Sequence, residues 1–497
     1  VTQVPGLVAV VLVSLATLAI GTWGLRVSRT TSDFFVASRT VRPGLNASAI
    51  GGEYLSAASF LGVAGLLLTF GADMLWYPIG WTAGYLVLLV LVAAPLRRSG
   101  AYTLPDFAEA RLDSRRVRHV CSVLVVAIGW LYLLPQFEGA GLTLAAALDA
   151  PRWVGPVVVG LVVLVSVGSG GMRSITFVQA FQYWLKLTAL LVPAAVLLVV
   201  WAGDRVSGPS ATAADWSVPL ADGGAQGLYT TYSLVLATFL GTMGLPHVVV
   251  RFYTNPDGRA ARRTTLAVLA LLGVFYLLPP VYAALGRAYG AEPTASDSLV
   301  LELPRLVVPG LLGDVLTGMV TAGAFAAFLS TSSGLAIAVS GVLTQDVTSK
   351  RLPDLTAFRV ATAVAVVVPL TAALLLPDFG VARAVGLAFA VAASTFCPLL
   401  VLGIWWRGLT AAGAVAGLLV GGAGSVAAVG WTLADGSSGW GDGWVDVVVG
   451  QPAAWSVPLA LAAMVLVSLA TAASAPAHAL RFMVRLHTPE TVDLDRS

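Results

Sequence analysis

Glu53 stands beside two glycines in the apolar stretch AIGGEYLSAASFLG, residues 49–62. A carboxylate within a hydrophobic helix is costly and marks a functional candidate, and Gly51 and Gly52 are poor helix formers. A second interruption reads LATFLGTMGLPHVVVRF, with Gly241, Gly244 and Pro246 followed by His247. Pro246 removes a backbone donor and disfavours helix at the residue before it. Backbone freed at such a break can do chemistry: carbonyls coordinate a cation, and half-helix N-termini receive an anion. The alternative is that these glycines only let helices pack closely. A third cluster lies in AFAAFLSTSSGLAIAVSGVLTQD, where Ala327, Ser330 and Thr331 fall at i, i+3 and i+4 on one helical face. Two hydroxyls and a carbonyl make a small hard-oxygen site suited to a monovalent alkali cation, and ordinary Ser/Thr bonding between helices is the alternative.

Other chemistry is thin. Cys121 and Cys397 both lie in apolar runs without metal-ligand spacing. Of His119, His247, His478 and His487, only His247 falls near a helix interior, so paired intramembrane haem or copper ligands are excluded. No nucleophile or ligand constellation points to an enzyme. His247 is either a proton carrier or a partner for a carbonyl freed by the Gly-Leu-Pro break. Glu53 has three readings: a field beside a bound cation, a protonated carrier, or a cap on freed amides. Glu138, in LPQFEGAG, is expected to meet a helix end or an internal cation.

The elements that position these residues are membrane spans. The chain is 58% hydrophobic and 11% charged over 497 residues, with a mean hydropathy of +0.87. A soluble chain is about a quarter charged. Apolar runs predict about thirteen spans, near 4–25, 43–70, 74–96, 119–148, 153–168, 175–202, 227–250, 264–288, 309–343, 357–376, 384–404, 411–433 and 453–474. The first lacks a basic n-region and reads as a retained span. Arginines follow alternate spans: Arg39 and Arg42, Arg97 to Arg118, Arg251 to Arg263, Lys350 with Arg351, and Arg481 with Arg485. Acids such as Asp204, Asp215, Asp222 and Glu302 occupy the other loops. The positive-inside rule then puts the N-terminus outside and the C-terminus in the cytoplasm. Lysine is rare (Lys186 and Lys350 alone) beside arginine, which hints at a bacterial source and a cytoplasmic membrane. The tail after residue 475 is too short and polar to fold alone.

The two interrupted spans are the second and the seventh, five apart. Interruptions at matched places in two five-helix halves point to an inverted-repeat transporter, because unwound backbone is tolerated at membrane depth only where it lines a cavity. The expected organisation is a first span and loop over 1–42, repeats over 43–202 and 227–404 separated by an outer loop at 203–226, two further helices over 405–474 and a tail at 475–497.

Three stretches resemble the sodium/solute symporter family, and within it the acetate/monocarboxylate permease branch. They are AIGGEYLSAASFLG, GTMGLPHVVVRFYTNPDGRAARRT at 241–264 and GGMRSITFVQAFQYWLK at 170–186. The resemblance implies an all-α fold of the leucine-transporter type, five plus five helices in inverted repeat, with one added N-terminal and two added C-terminal helices. It implies a sodium site made by the carbonyls of Gly52 and Leu55 with Ala327, Ser330 and Thr331. Gln179 stands where members with a second cation site carry an acid, implying one sodium per cycle. The implied function is sodium-coupled uptake of acetate, propionate or pyruvate, bound near Ser56, Gln136, Thr242 and Gly244, with Glu53, Tyr54 and His247 in coupling or gating. The partners are a small carboxylate and the bilayer, and a monomer suffices. TLPDFAEARL, 103–112, resembles the family's intracellular helical loop. Alternatives are a proton-coupled carrier, a symporter of another solute, or a transporter-like sensor.

Overall fold

The computed structural model describes residues 4–23, 37–204, 223–291, 297–348, 353–375, 380–435 and 443–492. Lys350, Arg351, Asp215 and Asp222, and most of the expected outer loop, lie outside them. Within the described residues the chain is helical, with no strand. In order the helices are α1 (Val4–Trp23), α2 (Pro43–Tyr54), α3 (Ala58–Phe70), α4 (Ala72–Arg98), α5 (Leu104–Leu112), α6 (Arg115–Leu148), α7 (Val154–Asp204), α8 (Gly224–Gly244), α9 (Pro246–Val250), α10 (Gly258–Ala288), α11 (Leu299–Val307), α12 (Leu311–Leu343), α13 (Asp354–Leu375), α14 (Val381–Trp405), α15 (Ala411–Asp435), α16 (Trp444–Gly450), α17 (Ala453–Ala470) and α18 (Ala479–His487).

Eleven helices are long and apolar enough to cross a bilayer, and the bent pair α2–α3 makes a twelfth span. Helix α7 contains one more. Its 51 residues would rise about 76 Å at ~1.5 Å each, more than twice a hydrocarbon core of ~30 Å. It is broken at Gly171, whose φ of 58° and ψ of −161° suit glycine alone. Its halves, 154–170 and 172–204, are therefore separate spans, and each of the thirteen expected runs is mainly helical over its described residues.

Burial sorts the spans. In α12, 94% of the apolar window is buried, and in α14, 89%; in α1, α13 and α17 the share is 33%. Helices α8, α9, α12 and α14 with the α2–α3 pair form the centre, and the others present apolar faces outward, as lipid requires. Helix α2 reaches the second half of α7 only through its glycines: a Cβ on Gly52 would fall on the Gln179 carbonyl, and one on Gly51 would meet the Tyr183 ring at 2.8 Å.

The arginine-rich end is tied by side chains. Thr103 and Asp106 form a capping box at the start of α5. Arg118 pairs with Asp106 at 2.8 Å, Glu109 at 2.7 Å and Asp346 at 2.6 Å, joining α5, α6 and the end of α12. The tail is ordered by docking. It forms α18, because it docks rather than folding alone: Phe482 stacks on Phe107 with ring centroids 6.2 Å apart, and Glu490 pairs with Arg98 at 3.3 Å.

Gly52→Ala is expected to lower stability by about 1–3 kcal/mol through overpacking against α7. Gly44→Ala, in the same helix but with open space around it, is expected to gain up to about 1 kcal/mol. Unfolding of the detergent-purified variants checks both.

Candidate functional site

The first break lies where α2 ends at Tyr54. Leu55 takes φ −73° and ψ 85°, α3 restarts at Ala58, and the two axes bend by 72°. Three carbonyls lose their helical partners here, and side chains take their place. The Lys186 Nζ donates to the carbonyl of Gly52, to that of Leu55 at 2.7 Å and to the Ser330 hydroxyl at 2.6 Å. The Thr331 hydroxyl donates to the Glu53 carbonyl at 2.6 Å. Ser330 also donates to the Ala327 carbonyl at 3.0 Å.

The five residues expected around sodium thus converge, but around an ammonium. Lys186 is fully buried, and its three N–H donors are spent on three of the five ligands. The Thr331 hydroxyl is turned to Glu53, and Ala327 is reached only through Ser330. With Lys186 among them these oxygens do not fit a sodium ion. A second positive charge a few ångströms away would be repelled strongly in so buried a place.

Glu53 is 2% exposed and Arg251 1%. The Arg251 Nε donates to the Glu53 Oε2 at 2.6 Å, its Nη1 to Thr176 at 2.9 Å and its Nη2 to the Gln179 Oε1. The Gln179 Nε2 in turn donates to the Ser330 carbonyl at 2.8 Å. Gly334 of α12 leaves room for the carboxylate, since a Cβ there would overlap it. Sequence reasoning grouped Arg251 with the loop arginines. The structure corrects this: the run PHVVV after the break carries Arg251 one turn further inside, where it balances Glu53. Lys186 and Arg251 with Glu53 place two basic side chains and one acidic side chain at this centre.

The second break separates α8 from α9 at Leu245, φ −71° and ψ 119°. The two breaks are joined by the Thr242 and Tyr54 hydroxyls, 2.7 Å apart. Gly244 packs directly on the Ala392 carbonyl. Gln136 accepts the Ala57 N–H at 3.0 Å and so caps α3. Ser56 is buried inside the first break. Of the two readings of His247, the bond to a freed carbonyl is not made: both ring nitrogens are buried without a hydrogen-bond partner among the described residues, and the ring meets Tyr132 edge-on at 5.2 Å. Glu138 meets a helix end, accepting the Gly380 N–H at 3.2 Å before α14.

Rings surround both breaks. Tyr54 meets Tyr85 at 4.9 Å and Phe389 at 6.2 Å, and Phe389 meets Trp81 at 5.6 Å and Tyr132 at 5.9 Å. The Trp81 Nε1 and the Tyr85 hydroxyl are buried without a partner among the described residues. Sequence reasoning missed this ring cluster, Lys186 and the core position of Arg251. A signal existed for Lys186: it is one of two lysines in the chain and sits in YWLKLTALLV, so the rule that singled out Glu53 applies equally to it.

Removing one partner of the buried pair, in Arg251→Ala, is expected to cost about 3–5 kcal/mol. Combining it with Glu53→Gln is expected to cost less than the sum of the two single changes. A double-mutant cycle on unfolding in detergent measures the difference.

A family model described as the sodium:solute symporter family matches residues 34–421. An uncharacterized symporter of Bacillus subtilis is 32% identical over 429 residues, 82% of each chain. A monocarboxylic acid transporter of Corynebacterium glutamicum is 33% identical over 442 residues, 80% of this chain and 78% of its own. Among solved structures, a sodium-coupled sialic acid symporter in a substrate-bound, outward-open state superposes with a TM-score of 0.67 at 17% identity, covering 93% of this chain and 97% of its own. MhsT in complex with L-phenylalanine gives 0.56 at 15%, covering 87% and 98%. These two carry the fold, which is that of the leucine transporter type. A multi-pass membrane protein of transporter architecture, the chain belongs to the sodium:solute symporter family.

Proposed function

We propose that the protein imports a small monocarboxylate, such as acetate, propionate or pyruvate, by cation-coupled symport. The observation that carries this is the surplus positive charge at the first break. Lys186 and Arg251 face one carboxylate, that of Glu53. Burying an unbalanced charge is costly, and an anionic solute beside the break would balance it. The relative named as a monocarboxylic acid transporter supports this class of solute. The unpartnered Trp81 Nε1 and Tyr85 hydroxyl supply donors for a carboxylate, and the rings around them pack closely. Ser56 and Thr242 line the same region, while Gly244 acts through packing.

Transport follows alternating access, with the repeats at 43–202 and 227–404 rocking about the two breaks. The N-terminus faces outward and the arginine-rich end faces the cytoplasm of a bacterium. There the Arg118 ion pairs with Asp106, Glu109 and Asp346 hold the inner path shut and part on inward opening. One cation with one monoanion carries no net charge, so the membrane potential, about 2.3 kcal/mol per charge per 100 mV, drops out and the ion's chemical gradient drives uptake. The family's name favours sodium as that ion; the Lys186 geometry weighs against sodium at the expected place. A monomer suffices.

Reconstituted vesicles are expected to accumulate radiolabelled acetate, propionate or pyruvate, with unlabelled carboxylates competing and acetamide failing to compete. Trp81→Phe and Tyr85→Phe each remove one donor to a charged group, worth about 1.5–3 kcal/mol, and are expected to raise KM at least about tenfold. Equal competition by acetamide, or unchanged KM in both variants, would contradict a carboxylate site here.

A further inference from the structure

The amine of Lys186 meets the first break on both sides. It takes the Gly52 carbonyl at the end of α2, the Leu55 carbonyl within the gap, and the Ser330 hydroxyl across on α12. These are the oxygens that a sodium ion would need in order to hold α2–α3 against α12. An ammonium carries the same unit charge, accepts nothing, and satisfies the same acceptors by donation. It is also tethered, so its local concentration at the site does not depend on the medium on either side. Glu53 cannot make room for two cations here, because its carboxylate is engaged by Arg251 and Arg251 is held further by Thr176 and Gln179.

We propose that Lys186 is the specificity-determining residue for the coupling ion: its ammonium is a built-in cation that replaces sodium at this site, so that closure of the first break onto α12 requires no sodium. This rests on the reading of the chain as a symporter, but not on which solute it carries. Gly52 has two roles on this view. Its missing Cβ admits the backbone of α7, which brings Lys186 of that helix within reach, and its carbonyl receives the amine. Gln179 fixes the level of the same helix by bonding the Ser330 carbonyl.

The test uses the purified full-length protein and sodium alone as probe. Its Tm is followed as sodium chloride replaces choline chloride at constant ionic strength, with binding of radiolabelled sodium as a second readout. The wild-type protein is expected to show no saturable sodium-dependent rise in Tm and no sodium binding at this site. Lys186→Ala frees the carbonyls of Gly52 and Leu55 and the Ser330 hydroxyl from the amine, and it is expected to gain a saturable rise that Lys186→Ala with Ser330→Ala lacks. A wild-type rise that Ser330→Ala removes would overturn the proposal, as would a folded Lys186→Ala protein that ignores sodium. Should Lys186→Ala not fold, the wild-type and Ser330→Ala arms decide alone. Because no organic solute is added, failure of acetate uptake would refute the solute assignment and leave this result standing.

Discussion

Carbonyls released at a break in a membrane helix have no water to turn to, and each unsatisfied one costs about 1–3 kcal/mol or more. The structure meets this constraint at Gly52, Glu53 and Leu55 with two side chains, Lys186 and Thr331. Much of the centre follows from that need. Helix α7 must lie close enough for a lysine to reach, so α2 carries glycine where the backbones touch. Helix α12 must present hydroxyls on the opposite side, so it carries a fully buried STSS turn rather than the Val and Leu of the outer spans. The amide end of the break has its own partner in Gln136.

Charge sets the second condition. An ammonium at full burial would be prohibitive if isolated, and Glu53 is the carboxylate that acts on it. Yet Glu53 is also held by Arg251. The centre thus holds two basic side chains to one acidic one, and the unpartnered donors of Trp81 and Tyr85 stand among the rings next to it. The hydroxyl link between Tyr54 and Thr242 couples that region to the second break.

Much of the architecture was legible because membrane spans are written in long apolar runs. The division of α7 could be read from GSGGM between two such runs, and the structure places the turn at Gly171. Both interrupted helices were legible from Gly and Pro in otherwise smooth spans. The side chains that fill the breaks were not. Counting arginines as loop markers hid Arg251, since the positive-inside rule weighs location by sequence proximity to a span end and cannot see that the span runs on past the break to a buried Arg251. The expected sodium ligands, taken from a family resemblance, are residues that the structure brings together, but around the Lys186 amine, which the resemblance, although it covers that stretch, gave no role. His247 was assigned a carbonyl partner by local logic, and in the fold its neighbour is an aromatic ring from α6.

The most direct measurement is an experimental density map of the protein prepared in high sodium, at a resolution that defines side chains. The account predicts density for the Lys186 side chain running unbroken to the Gly52 and Leu55 carbonyls and the Ser330 hydroxyl, with no separate ion among them. Lys186 turned away, with an isolated density enclosed by Gly52, Leu55, Ala327, Ser330 and Thr331, would contradict it.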